Sequence, residues 1–212
     1  MPFRALKSAS LVPGRSSTLA TIPLKDGREL VVRPARARDA RALRDLIAAV
    51  AAEPSVPLLT TPQVMTTERV RGYLTGARVG GRGLFLVGEI DGVIVGNVGG
   101  HGLDIEPSQH VLEIGMSVAA GARGVGVGSA LLDAALAWAA VAGYQKVVLS
   151  VFPHNERAIA LYERHGFVHE GVRARQFVRE GRYLDEVLMA RWLGPDDGAL
   201  AAGAAPVPAD ES

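Results

Sequence analysis

A glycine-rich segment at residues 121–128, GARGVGVG, carries the clearest chemical signal in this sequence. Before it, residues 111–118 alternate apolar with small or polar side chains, which predicts a β-strand. After it, residues 127–141 repeat apolar side chains at steps of three and four, which predicts an α-helix. A glycine loop that opens a helix suits phosphate binding, because the first helical N–H groups have no internal partner and glycine lets an anion reach the backbone.

The loop does not fit two familiar nucleotide-binding patterns. A P-loop needs lysine and then a hydroxyl residue after its last glycine, but Gly128 is followed by Ser129 and an alanine. The dinucleotide fingerprint G-x-G-x-x-G also does not fit. Its last glycine would fall on Ser129 if the pattern began at Gly124, and on Leu131 if it began at Gly126. The spacing that does occur is Arg123-x-x-Gly126-x-Gly128, in which Arg123 adds a fixed positive charge. For this segment alone, a turn with a purely structural role is the alternative.

A second segment, residues 155–167, has the sequence NERAIALYERHGF. Together with the R-x-x-G-x-G loop, it resembles the paired signatures of the GNAT superfamily, whose members are N-acetyltransferases that use acetyl-coenzyme A. The two motifs follow each other in the expected order, with one predicted helix and one predicted strand between them. The resemblance covers roughly residues 30–193 in element order and is nearest to bacterial enzymes of spermidine, phosphinothricin and ribosomal-protein type.

The resemblance implies that acetyl-coenzyme A is the co-substrate and that backbone N–H groups of the loop bind its pyrophosphate. In this superfamily two central strands splay apart beside a bulge, where a free strand N–H polarises the acetyl carbonyl; Gly115 is the expected bulge residue. The implied cofactor-binding residues are Met116, Ser117, Val118, Arg123, Gly124, Val125, Gly126, Val127, Gly128, Ser129 and Asn155. No metal ion is expected, because the histidines and carboxylates lack the spacing of a metal site.

Two side chains are candidates for moving protons. An alkyl amine is mostly protonated at neutral pH, so a base must remove a proton before the amine attacks. Glu113, the only carboxylate in its strand, is the candidate base, and an ion pair with an arginine across the sheet is the alternative. Some relatives carry a glutamate near this place, whereas others carry it on the next strand, where this chain has Ser150. Tyr162 matches the motif tyrosine that protonates the coenzyme A thiolate in many members, and a packed core tyrosine is the alternative.

The surrounding elements predict one domain over residues 17–194. Asp-Gly pairs at 26–27 and 91–92 predict hairpins, and Asp39 is the expected cap of the first helix. Thr66 or Thr67 is the expected cap of the second helix. The resemblance implies an α/β (α+β) fold of GNAT type. Its sheet would be mostly antiparallel and twisted, with about seven strands, a central splayed parallel pair and helices on both faces.

Composition limits the partners. The formal net charge is +1, which argues against an electrostatic grip on nucleic acid or an anionic membrane. The absence of cysteine excludes disulfides and thiolate chemistry, and it fits a cytoplasmic protein. The preference for arginine over lysine, with much alanine, is typical of a GC-rich bacterial genome. Residues 1–16 and 195–212 have little to bury and are expected to be disordered.

The expected reaction is acetyl transfer to a primary amine by direct attack, with a small molecule or a peptide as the acceptor. A longer acyl donor is one alternative, and a coenzyme A-binding module without turnover is another. Residues 53–65, which the resemblance places over the acceptor, lack the acidic cluster that a polyamine site would favour. The sequence leaves open a homodimer.

Overall fold

The computed structural model describes residues 18–53, 66–76, 82–179 and 181–195. The expectations about residues 1–16, about the loop at 54–65 and about the tail beyond Pro195 lie outside these segments. In the described segments the helices are α1 (Ala40–Ala51), α2 (Thr67–Gly76), α3 (Val127–Val141) and α4 (Glu156–Arg164). The strands are β1 (Ala20–Pro23), β2 (Glu29–Pro34), β3 (Gly83–Ile90), β4 (Val93–Gly102), β5 (Val111–Val118), β6 (Lys146–Val151), β7 (Val168–Arg179) and β8 (Arg182–Trp192).

The strands form one mixed sheet in the order β1-β2-β3-β4-β5-β6-β8-β7. Every neighbouring pair is antiparallel except β5 and β6, which are parallel and are joined through α3. The expected single α/β domain with a mostly antiparallel sheet and a central parallel pair is therefore confirmed. The described sheet has eight strands where about seven were expected.

Helices cover both faces of the sheet, as expected. On one face, α3 is apolar on nearly every side and packs into the main core, where Leu131 and Leu132 are fully buried. On the other face, α1 and α2 enclose a smaller core around Leu43, Val70 and Val87. Because side chains alternate along a strand, Leu112 and Ile114 of β5 point into the main core while the residues between them face the α1 side.

Asp39 precedes α1 directly, but the prediction that its side chain caps this helix is wrong. The Asp39 carboxylate accepts a hydrogen bond from the backbone N–H of Arg36 at 2.7 Å and is bridged by the buried guanidinium of Arg33. Burial acts to raise the pKa of Asp39, but the hydrogen bonds from Arg33 and Arg36 outweigh it and hold this pKa below its usual value. The second helix does have its expected cap, since Thr66 Oγ1 accepts from the N–H of Arg69.

Glycines in β4 permit close packing with neighbouring elements. A Cβ on Gly96 would lie 2.9 Å from Leu131 of α3, and one on Gly100 would lie 2.9 Å from the carbonyl oxygen of Glu113. The β3–β4 register also shifts opposite Gly88, so β4 is irregular beside Gly96. Among the described helices, none has the length and apolar character needed to cross a bilayer.

Candidate active site

A cavity of about 680 Å³ opens at the carboxyl ends of the parallel pair β5 and β6. The start of α3 and one face of α4 complete its walls. The structure brings most of the predicted site residues together on this surface. They are Met116, Ser117, Val118, Arg123, Gly124, Gly126, Gly128, Ser129, Asn155 and Tyr162.

The amino terminus of α3 provides an anion-binding cradle. The first bond of the helix runs from the N–H of Ala130 to the carbonyl of Gly126, so the N–H groups of Val127, Gly128 and Ser129 have no acceptor inside the helix. Gly126, at the N-cap position, has φ +116°, and no side chain caps the helix. A phosphate placed here would accept these N–H groups and meet the positive end of the helix dipole.

The splay between β5 and β6 is present. The two strands pair only through Val111, Leu112 and Glu113, while β6 continues alongside β8 to Val151. The expectation that Gly115 forms a bulge is wrong, because the β4–β5 register runs without a shift from Gly102 to Gly96. The gap therefore opens because β5 and β6 diverge, and β5 keeps regular pairing on its other side.

Regular pairing identifies the backbone groups that face the gap. The N–H of Ala119 donates to Val95 on the β4 side, and the carbonyl of His110 accepts from Lys146 on the β6 side. Because backbone groups alternate in direction along a strand, the N–H groups of Met116 and Val118 point into the gap. These two donors lie on the cavity wall and are suited to polarising a carbonyl oxygen.

Arg123 does not offer the free positive charge that its place in the motif suggested. Its Nη1 and Nη2 atoms bind the Glu53 carboxylate at 2.6 and 2.8 Å, and its Nε donates to the carbonyl of Val118 at 2.8 Å. Both side chains of the pair are largely buried. The guanidinium thus ties the end of α1 to the glycine loop, and Glu53 neutralises its charge.

Two predicted cofactor residues lie behind the cavity wall. The side chain of Val127 is fully buried in the main core, so only its backbone N–H can serve a ligand. Val125 also packs against the core, and its carbonyl accepts a hydrogen bond from the backbone N–H of Lys25. The sequence alone could not show that these two valines, unlike the neighbouring glycines, do not line the cavity. A loop motif does not indicate which of its side chains point into the core.

The second motif forms α4 and places two of its residues on the cavity. The Asn155 side chain caps this helix by accepting from the N–H of Ala158 at 3.3 Å. Tyr162 is 8% exposed and packs its ring against Phe167 at a centroid distance of 5.8 Å. In the described residues the Tyr162 hydroxyl has no hydrogen-bond partner, and burial raises its pKa to about 12. It therefore stays protonated at physiological pH and can donate.

Glu113 does not line the cavity. It is the last residue of β5 that pairs with β6, and its side chain is 46% exposed on the α1 side of the sheet. Its cross-strand neighbour is His101, at 4.0 Å, so the alternative of an arginine ion pair is wrong. Ser117 shares this face of β5 but lies four residues further along, roughly 13 Å away at the rise of a strand.

Asn97 is a polar residue of this region that sequence reasoning missed. It lies opposite Ser117 in the β4–β5 pair, is 5% exposed, and its Oδ1 atom is buried without a hydrogen-bond partner. A buried amide oxygen without a partner is uncommon in proteins. The sequence did offer one signal: Asn97 is the only polar residue in the stretch 93–100, whose other members are glycine or apolar residues.

Comparison with known proteins fits this geometry. A family model described as "Acetyltransferase (GNAT) family" matches residues 53–167. The L-amino acid N-acetyltransferase AaaT of Escherichia coli K12 is 30% identical over 170 residues, covering 77% of this chain and 98% of its own length. A GNAT-family acetyltransferase of Streptococcus pneumoniae has a TM-score of 0.72 at 26% identity, covering 77% of this chain and 99% of its own.

A phosphinothricin acetyltransferase of Sinorhizobium meliloti, solved in complex with AcCoA, has a TM-score of 0.68 at 23% identity and covers 78% of this chain and 89% of its own. The chain belongs to the GNAT family of acetyltransferases, because the family model spans more than half of it and the relative from Escherichia coli aligns over nearly its whole length. The family and fold expected from the two motifs are confirmed, and acetyl transfer is the general activity.

Proposed function

We propose that the protein transfers an acetyl group from acetyl-coenzyme A to a primary amine by direct attack. The observation that carries this proposal is the single cavity that joins the uncapped start of α3, the free edge of β5 and the hydroxyl of Tyr162. Together, these features of one cavity would supply a phosphate site, a carbonyl site and a proton donor. The likeness to relatives that use acetyl-coenzyme A supports the same assignment.

The residues of the loop fit the pyrophosphate of the co-substrate. Gly124 and Gly126 have φ of +84° and +116°, conformations that favour glycine, and they leave the backbone open to an anion. The N–H groups of Gly128 and Ser129 would bind the phosphate oxygens at the start of α3. Asn155 would bind the pantetheine arm through its Nδ2, since its Oδ1 already caps α4.

Acetyl-coenzyme A supplies an activated acetyl group as a thioester, which a neutral amine can attack without a protein nucleophile. The N–H groups of Met116 and Val118 stabilise the negative charge that develops on the carbonyl oxygen, and one such donor is typically worth about 3 kcal/mol. Tyr162 donates its proton to the sulfur when the carbon–sulfur bond breaks, and the second proton that the nitrogen loses as the amide forms returns to the tyrosinate. A thiol pKa of about 8.5 makes thiolate a good leaving group, so this proton contributes modestly.

Glu113 is proposed as the base that takes a proton from the incoming ammonium. Because it lies roughly 13 Å along β5 from Ser117, the proton must travel through water on the α1 side of the sheet. Its exposure leaves room for that water. Its carboxylate lies 4.0 Å from His101 Nε2, which is a long distance for an ion pair, and it remains accessible to solvent.

The acceptor class is tested by measuring thiol release from acetyl-coenzyme A with a panel of amines. The panel begins with L-amino acids, because the relative from Escherichia coli is named for them, and continues with phosphinothricin, peptides with a free N-terminus, and polyamines. We expect one class to exceed the others by at least about tenfold in kcat/KM. If the folded protein binds coenzyme A but releases no thiol with any amine or longer acyl donor, a binding module is the better description.

Glu113→Gln provides the test of the base. We expect a rate roughly 10- to 100-fold below wild type at pH 7, because glutamine keeps the shape but cannot accept the proton. The deficit should shrink as pH rises towards the amine pKa of about 10, because more of the amine then arrives neutral. The measurement is a pH–rate profile of both proteins with saturating acetyl-coenzyme A.

Glu29→Gln is the matched control, since Glu29 is an exposed glutamate on a strand outside the cavity lining. It should follow the wild-type profile. A Glu113→Gln profile that stays parallel to wild type at all pH values would remove Glu113 as the base. Water held near the Met116–Val118 edge, or Ser150 on β6, would then be examined.

A further inference from the structure

The phosphate site needs positive charge that its own loop does not provide. Residues 119–129 contain one cationic side chain, Arg123. Glu53 already neutralises this side chain through two hydrogen bonds. Helix N–H groups supply only partial charges, whereas coenzyme A carries a pyrophosphate and a ribose 3′-phosphate. Cationic side chains at the rim of the cavity would add the full charges that the loop lacks.

Lys25 is the first of these cations. It lies in the β1–β2 turn, far from the loop in sequence, and its backbone N–H donates to the carbonyl of Val125 at 3.0 Å. The same turn is tied to the loop a second time, because Arg28 Nη2 donates to the carbonyl of Gly121 at 3.3 Å. The turn is thus fastened along the glycine loop, and Lys25, which is exposed, is one of the residues that line the cavity.

Arg157 is the second cation. It lies in the first turn of α4, and its Nη2 is 3.1 Å from the point where a Cβ on Gly124 would stand. Its guanidinium therefore lies beside the loop at Gly124. Neither Lys25 nor Arg157 has a side-chain hydrogen bond or ion pair to any of the described residues.

We propose that Lys25 and Arg157 form a cationic clamp for the phosphates of coenzyme A, taking the part that the motif suggested for Arg123. This inference rests on the proposed use of acetyl-coenzyme A. It adds the β1–β2 turn, which neither motif includes, to the binding site. A phosphate held at the start of α3 would then meet the helix N–H groups and one cation from each of two separate elements.

The test is calorimetric titration of Lys25→Gln and Arg157→Gln with coenzyme A at low and moderate salt. Glutamine at position 25 keeps the backbone bond to Val125 and removes only the charge. We expect each substitution to weaken binding about tenfold at low salt, since a hydrogen bond to a charged group contributes at that level. The loss should be smaller at moderate salt, because screening weakens the same contact in wild type.

Two substitutions serve as matched controls. Lys146 lies at the start of β6, away from the carboxyl end that meets the cavity, and pairs with Glu170 of β7. Arg182 is exposed at the β7–β8 hairpin. Because neither residue lines the cavity, Lys146→Gln and Arg182→Gln should bind coenzyme A like wild type. Titration with 3′-dephospho-coenzyme A then separates the phosphates. A loss that vanishes with this ligand assigns the residue to the 3′-phosphate, and a loss that persists assigns it to the pyrophosphate.

Wild-type affinity in both folded clamp variants would overturn the inference. A loss of the same size at both salt concentrations would also overturn it, because the substitution would then act through loop structure and not through charge. These outcomes differ from a failure of the proposed function, in which wild-type protein itself would not bind coenzyme A. A protein that binds and turns over acetyl-coenzyme A while both variants bind normally would retain the function and lose only the clamp.

Discussion

Gly126→Val is expected to weaken coenzyme A binding on the order of 100-fold while the protein remains folded. Gly126 has φ +116°, which a β-branched residue can adopt only with strain. Relief of that strain would rotate the peptide that starts α3, so the N–H groups of Gly128 and Ser129 would lose their common direction. Calorimetric titration with coenzyme A measures the loss.

Gly121→Ala is the matched control in the same loop. Gly121 is not among the glycines of positive φ, and a Cβ there would have no atom within 4 Å. Gly126→Ala gives a second, milder variant, since a Cβ at this position would touch only Leu24 at an ordinary 3.7 Å. Circular dichroism and a thermal melt establish folding in each case. Wild-type affinity in a folded Gly126→Val protein would contradict the phosphate assignment.

The sequence predicted the parts of this site that depend on local chemistry. Glycine before an apolar helix identified the anion cradle, because a left-handed N-cap and uncapped N–H groups are local properties. Asn155 has a residue type that commonly caps helices, and its cap is likewise a local property. The place of Tyr162 followed from the family motif. The parallel pair followed from the strand–helix–strand order together with the family resemblance, and the observed pairing of β5 with β6 confirms it.

The sequence did not reveal interactions between distant segments. Arg123 carries the positive charge that suits a phosphate contact. Only the folded chain shows that Glu53, seventy positions away, already forms an ion pair with this guanidinium. Asp39 has the right type for a helix cap, but Arg33 and the N–H of Arg36 bind it instead. Lys25 carried no signal, because its relation to the loop depends on how the first hairpin packs. A polar residue's type indicates what it can bind, and tertiary contacts decide which partner reaches it.

Tyr162→Phe is expected to lower kcat about 10- to 100-fold with little change in coenzyme A affinity. Phenylalanine keeps the ring contact with Phe167 and removes only the hydroxyl, which has no other partner among the described residues. Tyr144→Phe is the matched control, because Tyr144 is also buried but its hydroxyl donates to the carbonyl of Arg82, away from the cavity. That control should lower thermal stability and leave kcat unchanged. Equal kcat in wild type and Tyr162→Phe would show that Tyr162 only packs.

The pH dependence provides an independent test of Tyr162. Burial raises its pKa from 10.0 to about 12, so its hydroxyl still carries the proton at pH 9.5, where an exposed tyrosine would begin to lose it. The ratio of wild-type to Tyr162→Phe kcat should therefore stay constant from pH 7 to pH 9.5. The raised pKa also stabilises the folded state fully below pH 10, and this contribution is lost as pH rises through about 12. Phenylalanine should abolish that alkaline loss. A kcat ratio that falls with a midpoint near pH 8 would instead show that the advantage given by the Tyr162 hydroxyl is lost well below its raised pKa, which would contradict its assignment as a buried acid.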